Sequence, residues 1–146
     1  MRPRQIHLMV LIQDIILAFV INSAATILNG GFTTTGVYLV GMFMAFSINY
    51  IAGVIIPVEK IGRAVAGGIG LKEGKFPFKF VKVFIINAIF VTIISFTIAL
   101  INVGAKPEVF GIWWSTYWIL HLVGFITSLL IETPVMNLVK DLTDKT

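Results

Sequence analysis

The chain has 146 residues, of which 58% are hydrophobic and only 12% are charged. Because soluble domains carry about 25% charged residues, this composition excludes a soluble globular domain, a disordered chain and a nucleic-acid-binding domain. The net charge is +4 and there are no cysteines, which excludes disulfides, thiolate metal sites and thiol-exchange chemistry. Since about 20 apolar residues cross a bilayer as a helix, the length allows about four or five membrane spans.

Four apolar segments are long enough to cross the hydrocarbon core. They cover residues 7–28, 35–56, 81–103 and 112–131. Turn-forming residues follow each segment and predict where each span ends: Asn29-Gly30-Gly31, Pro57, Gly104 with Pro107, and Pro134. The sequence therefore predicts an all-α, polytopic membrane protein with four transmembrane helices.

The basic residues predict the orientation. Ten of the eleven precede span one, lie between spans two and three or in the first turn of span three, or follow span four, and only Lys106 lies on the other side. By the positive-inside rule, both termini are expected in the cytoplasm, which makes this a multi-pass protein of the inner membrane. Six basic residues around the middle loop are expected to contact anionic lipid headgroups, at about 1 kcal/mol each: Lys60, Arg63, Lys72, Lys75, Lys79 and Lys82.

An internal repeat divides this single membrane domain into two helical hairpins, 5–66 and 78–143, joined by a cytoplasmic linker, 67–77. A shift of 73 residues places Asp14 on Asn87, Asn29 on Asn102 and Gly31 on Gly104. After a four-residue insertion, Pro57 falls on Pro134 and Arg63 on Lys140. Because each half has two spans, both halves keep one orientation, and the sequence predicts a parallel repeat about an axis along the membrane normal.

Both halves share an Asn-x-Gly turn, a second span, a proline and a basic aliphatic tail. The matching residues are Asn29-Gly30-Gly31 with 57–63, and Asn102-Val103-Gly104 with 134–140. In these features the chain resembles two tandem copies of the bacterial membrane family catalogued as domain of unknown function 2798. The resemblance implies a hairpin fold and no catalytic residues.

Polar and small residues recur in each span at steps of three and four, which places them on one helical face. Such residues let helices approach closely and form hydrogen bonds between them. The polar members expected to form a helix-packing seam are Asn22, Asn29, Ser95, Asn102, Tyr117 and Ser128.

Asp14 is the exception, because a carboxylate near the centre of a span costs about 2.5–3.5 kcal/mol to insert. At 1.5 Å per residue, Asn49, Asn87 and His121 come out at similar depths, so the four residues are a candidate proton or ion site. The structural alternative is that Asp14 only fixes helix pairing through a hydrogen bond. In either case we expect it to point into the bundle, or into an oligomer interface, towards a polar partner.

No enzyme is expected, because no nucleophile–base pair or metal cluster is present, and no cofactor is expected. A haem held by two histidines would need His7 and His121 at one depth, yet they differ by about 15 Å.

Two functions remain open. One is an accessory or assembly protein whose bundle packs along the polar seam; the alternative is a small proton- or cation-coupled transporter or channel unit that uses Asp14. A homo-oligomer is expected, since four helices enclose little volume.

Overall fold

The computed structural model describes residues 2–28 and 34–145, which form five helices and no strand. The helices are α1 (Pro3–Leu28), α2 (Thr35–Ile55), α3 (Val58–Gly68), α4 (Phe76–Val103) and α5 (Glu108–Asp144). All except α3 are long and apolar enough to cross a membrane. The predicted all-helical, four-span architecture of a membrane protein is confirmed at this level.

The helix ends follow local sequence signals. The Thr34 side chain accepts a hydrogen bond from the backbone N–H of Val37 and caps α2. Pro57 separates α2 from α3, because a proline supplies no N–H for a continuing helix. Gly104 caps α4 with a φ of 86°, a conformation that glycine adopts without strain. The predicted ends of spans two and three are thus confirmed.

The region after Pro57 differs from the expected basic loop, because it contains the eleven-residue helix α3. Val58, Gly62 and Ala66 recur every four residues and are all buried, and this face packs on α4. Gly62 permits a close approach, since a Cβ there would lie 2.9 Å from a side-chain carbon of Ile86. The spacing of these three residues is the sequence signal for α3.

The sequence predicts that span four ends at Pro134. Instead, α5 continues through this proline as one helix to Asp144. An internal proline removes one helical hydrogen bond. Tertiary contacts stabilise the continuation: Val135 and Val139 are buried, and α5 packs along α1. Arg2 also pairs with Asp144, and Gln5 donates a hydrogen bond to Thr143.

These contacts define one end of the bundle, where α1 and α4 begin and α5 finishes; we call it the basic end. Away from it, the middle of the bundle is filled by small and aliphatic side chains that are at most 6% exposed. We call this group the apolar cluster: Ala18, Ile21, Ala25, Ala45, Val91, Ile94 and Leu120. It holds α1, α2, α4 and α5 together.

Candidate functional site

Asp14 points into the bundle, as predicted, and is only 1% exposed. The side-chain amide of Asn49, itself fully buried on α2, donates a hydrogen bond of 3.0 Å to Oδ1 of Asp14. Among the described residues, Oδ2 of Asp14 and Oδ1 of Asn49 have no hydrogen-bond partner. One hydrogen bond therefore satisfies only part of this buried pair.

Asn87 and His121 form a second buried pair, between α4 and α5. Asn87 Nδ2 lies 3.1 Å from His121 Nδ1 and donates to the His121 carbonyl at 3.0 Å. The imidazole ring is enclosed by Phe84, edge-on with ring centroids 4.8 Å apart, and by Tyr117, stacked at 5.7 Å. The four candidate site residues thus form two pairs within the described structure, one in each predicted hairpin.

A cavity of about 190 Å³ brings Asp14 and Asn87 to one space between α1, α3, α4 and α5. Ser128 lines it beside Asn87 and lies 3.5 Å from Asn87 Oδ1. Towards the basic end, the cavity wall includes Glu59 of α3 and Glu132 of α5. His121 and Asn49 do not line this cavity. They contact its lining residues instead, His121 through Asn87 and Asn49 through Asp14.

Lys82 joins the two glutamates at the basic end of the cavity. Its ammonium lies 2.8 Å from Glu132 Oε1 and 3.2 Å from Glu59 Oε1, and the residue is 8% exposed. Arg63 also pairs with Glu59, at 3.0 Å. These ion pairs hold α3, α4 and α5 together where the cavity begins. One oxygen of Glu132, Oε2, has no hydrogen-bond partner among the described residues, although Lys79 lies 3.7 Å away.

The apolar cluster separates this cavity from the opposite end of the bundle. A second, smaller cavity of about 40 Å³ lies there and is lined partly by Ser95 and Thr116. Leu17 is the last residue of α1 that lines the larger cavity, and Phe90 is the last of α4. The members of the apolar cluster in these two helices come directly after them in the chain. In this structure the space beside Asp14 therefore extends towards the basic end and stops at an apolar barrier.

The seam residues that the structure describes lie between helices. Asn22 donates a hydrogen bond to the Tyr38 carbonyl at 3.1 Å, and Ser95 accepts one from the Trp113 indole at 2.9 Å. The Tyr117 hydroxyl accepts a hydrogen bond from Thr92. Asn29 and the side chain of Asn102 lie outside the described residues.

The basic residues divide into two groups. Lys60, Lys72 and Lys75 are exposed, and their contact with lipid headgroups stays a prediction. Lys82 differs from that expectation, because it is buried between two carboxylates. Arg63 and Lys79 also face acidic partners, since Arg63 pairs with Glu59 and Glu73 and Lys79 pairs with Glu132.

The two glutamates of the cavity wall are not among the site residues that the sequence predicts. Glu132 stands at the end of a predicted span, where a carboxylate can reach water, and Glu59 stands in a segment taken for a loop. Two signals pointed to them: Glu132 follows Ser128 by one helical turn, and Glu59 precedes Arg63 by one.

Comparison with protein-family models, with curated proteins and with solved structures finds no match to this chain. The resemblance to domain of unknown function 2798 therefore stays a prediction.

Proposed function

We propose that this membrane protein binds a proton or a cation at Asp14 and takes part in its transport across the membrane. The observation that carries the proposal is the position of Asp14, a buried carboxylate with an unpartnered oxygen, in the wall of a cavity. A carboxylate placed only to pair helices would be better satisfied in a filled interior. Intramembrane carboxylates beside cavities are typical of ion and proton pathways.

The barrier beyond the cavity favours transport over a simple open channel. A continuous pore would need polar groups along its whole length, whereas the apolar cluster fills the middle of the bundle. A pathway past Ile21 and Ile94 would require these helices to move apart. We propose that the structure is a state open towards the basic end, and that a second state opens the site towards Ser95 and Thr116.

The orientation and the repeat are parts of the same proposal. The count of basic residues supports placing the basic end, and with it both termini, on the cytoplasmic side of an inner membrane. The packing of α3 on α4, and of the end of α5 on α1, supports a parallel repeat, since each post-proline segment contacts the first helix of the other hairpin. We propose a homo-oligomer as the transporting unit, with anionic lipid around Lys60, Lys72 and Lys75.

Liposomes that contain the purified protein and a trapped pH dye provide the test. The wild type is expected to carry a flux when a gradient of protons, Na⁺, K⁺ or a primary ammonium ion is imposed. Asp14→Asn is expected to abolish this flux, because the amide keeps the hydrogen bond with Asn49 but cannot carry the charge.

Asp141→Asn is the matched control, since it makes the same chemical change at an exposed position of α5. It should leave the flux unchanged. The proposal is wrong if Asp14→Asn conducts like the wild type, or if the folded wild type conducts none of these ions. Either result would favour the accessory protein, in which the seam only packs.

A further inference from the structure

We propose that the ligand of the cavity is a small primary ammonium ion, a protonated amine with a short aliphatic chain. The inference deepens the proposed function and rests on it, because it takes Asp14 as the binding carboxylate. Two properties of the site support it: its unpartnered polar atoms are hydrogen-bond acceptors, and most of its wall is apolar.

Every unpartnered buried side-chain atom among the described residues is an acceptor. These atoms are Oδ2 of Asp14, Oδ1 of Asn49 and Oε2 of Glu132. Of the three residues, Asp14 and Glu132 line the cavity and Asn49 does not, and Glu132 Oε2 already has the Lys79 ammonium 3.7 Å away. Since an unpaired buried acceptor is costly, the site favours a ligand that donates hydrogen bonds, and an ammonium group has three N–H donors.

One acidic group of the cavity wall, Asp14, has no basic partner among the described residues. Glu59 and Glu132 also line the cavity, but they pair with Arg63, Lys79 and Lys82. A cation is therefore preferred over a neutral donor or an anion. Lys82 already occupies Glu59 Oε1 and Glu132 Oε1, which leaves Asp14 as the carboxylate with no cation beside it among the described residues.

The rest of the wall favours an aliphatic group on the ligand. Between the charged residues and Asn87 the cavity is lined by Met9, Val10, Val83 and Ile86. Hard metal cations take six or more oxygen ligands, which these side chains do not supply. A hydrocarbon chain, by contrast, gains free energy for each methylene group that it buries against them.

The volume sets the length of chain that the cavity can enclose. The cavity measures about 190 Å³, and one water occupies about 30 Å³ in the liquid, so there is room for about six groups of that size. n-Pentylammonium, with one nitrogen and five carbons, matches this space. A quaternary ammonium ion fits less well, because it has no N–H to donate to the unpartnered oxygens.

Binding is measured by titration calorimetry on the full chain in lipid nanodiscs, without any gradient. We expect n-pentylammonium to bind, and n-pentanol and tetramethylammonium to bind at least tenfold more weakly. The alcohol keeps the chain without the charge, and tetramethylammonium keeps the charge without the donors.

Two variants test the two halves of the site. Asp14→Asn should weaken n-pentylammonium binding at least tenfold, whereas Asp141→Asn should not change it. Met9→Trp fills the apolar part of the cavity and should weaken n-pentylammonium binding about tenfold while leaving methylammonium binding within twofold. A thermal unfolding curve for each variant, taken beforehand, verifies that it is folded.

The inference is overturned if n-pentylammonium does not bind to the folded wild type, or if it binds no better than n-pentanol. An Asp14-dependent ion flux could persist in that case, and the proposed function would then stand without this ligand. Conversely, Asp14-dependent binding in a protein that carries no flux would support the ligand and contradict transport.

Discussion

Asn49 donates a 3.0 Å hydrogen bond to Oδ1 of Asp14, and this contact joins α2 to α1 in the interior of the bundle. The amide satisfies one carboxylate oxygen and leaves the other unpartnered among the described residues. The pair thus fixes the position of Asp14 and leaves one of its carboxylate oxygens without a hydrogen bond among the described residues. In the proposed function a structural and a ligand-binding role coexist in this one side chain, and different substitutions separate them.

Asp14→Leu is expected to lower the stability of the bundle, whereas Asp14→Asn is expected to leave it nearly unchanged. Leucine removes the acceptor and leaves the fully buried Asn49 amide without it, at a cost of about 1–3 kcal/mol. Asparagine offers its own carbonyl oxygen in the same place. Thermal unfolding in detergent measures both variants.

The two stability results are independent of any flux. Equal melting temperatures for Asp14→Leu and the wild type would show that the Asn49 contact contributes nothing to folding. A large loss with Asp14→Asn would show that the carboxylate charge itself holds the helices together.

Lys82→Met is expected to destabilise the basic end. It removes the cation between Glu59 and Glu132 and leaves two carboxylates facing each other, and breaking a buried ion pair costs about 3–5 kcal/mol. We expect a value near the lower limit, since Lys79 lies 3.7 Å from Glu132. The exposed Lys60 provides the control: Lys60→Met should change the free energy of unfolding by less than about 0.5 kcal/mol.

A second substitution completes this test. Adding Glu132→Gln to Lys82→Met should restore part of the lost stability, because it removes one of the uncompensated charges. If Lys82→Met unfolds at the same temperature as Lys60→Met, the ion pairs do not hold α3, α4 and α5 together.

Gly124→Ala is expected to lower the free energy of unfolding, because it forces α5 away from α4. A Cβ at this position would lie 2.7 Å from Asn87 Oδ1 and 3.0 Å from a methyl carbon of Val91, and overpacking of this kind costs about 1–3 kcal/mol. Gly111→Ala, also on α5, has nothing within 4 Å of the new Cβ. The control should therefore be neutral or stabilising by up to about 1 kcal/mol through helix propensity. Equal unfolding temperatures for the two variants would contradict the close packing of Asn87 against α5.

The sequence predicts well the four spans and the helical face on which polar and small residues recur, because both depend on local patterns. Steps of three and four residues from Asp14 through Asn22 mark the buried face of α1, and glycine at 104 marks the end of α4. Lys82 and Pro134 could not be placed in this way. Burial of Lys82 depends on carboxylates from two other helices, and continuation of α5 through Pro134 depends on packing against α1.

The cavity depends on tertiary structure even more strongly. Hydropathy gives the depth of Asp14, Asn87 and Ser128 but not which of them share one space, since that depends on how four helices are arranged around it. The helical spacing of Val58, Gly62 and Ala66 would have predicted α3, and with it the position of Glu59 in the cavity wall.

Reporter fusions test the proposed orientation. Both termini and the segment around Lys72 should report the cytoplasm, and a fusion next to Lys106 should report the outside, because ten of the eleven basic residues belong to one side. A reporter found outside at either terminus would contradict the proposed topology.

Access to the cavity from one side tests the central claim most directly. The chain contains no cysteine, so Ser128→Cys, beside Asn87 in the cavity wall, and Ile94→Cys, in the apolar cluster, each carry a single thiol. The rate of reaction with a membrane-impermeant thiol reagent, added separately to each side of sealed vesicles, is the quantity measured. We predict that Ser128→Cys reacts from the basic side at least tenfold faster than from the other, and at least tenfold faster than Ile94→Cys. Equal rates for Ser128→Cys from both sides, or a rate no faster than that of Ile94→Cys, would contradict a site beside Asp14 that opens towards the basic end.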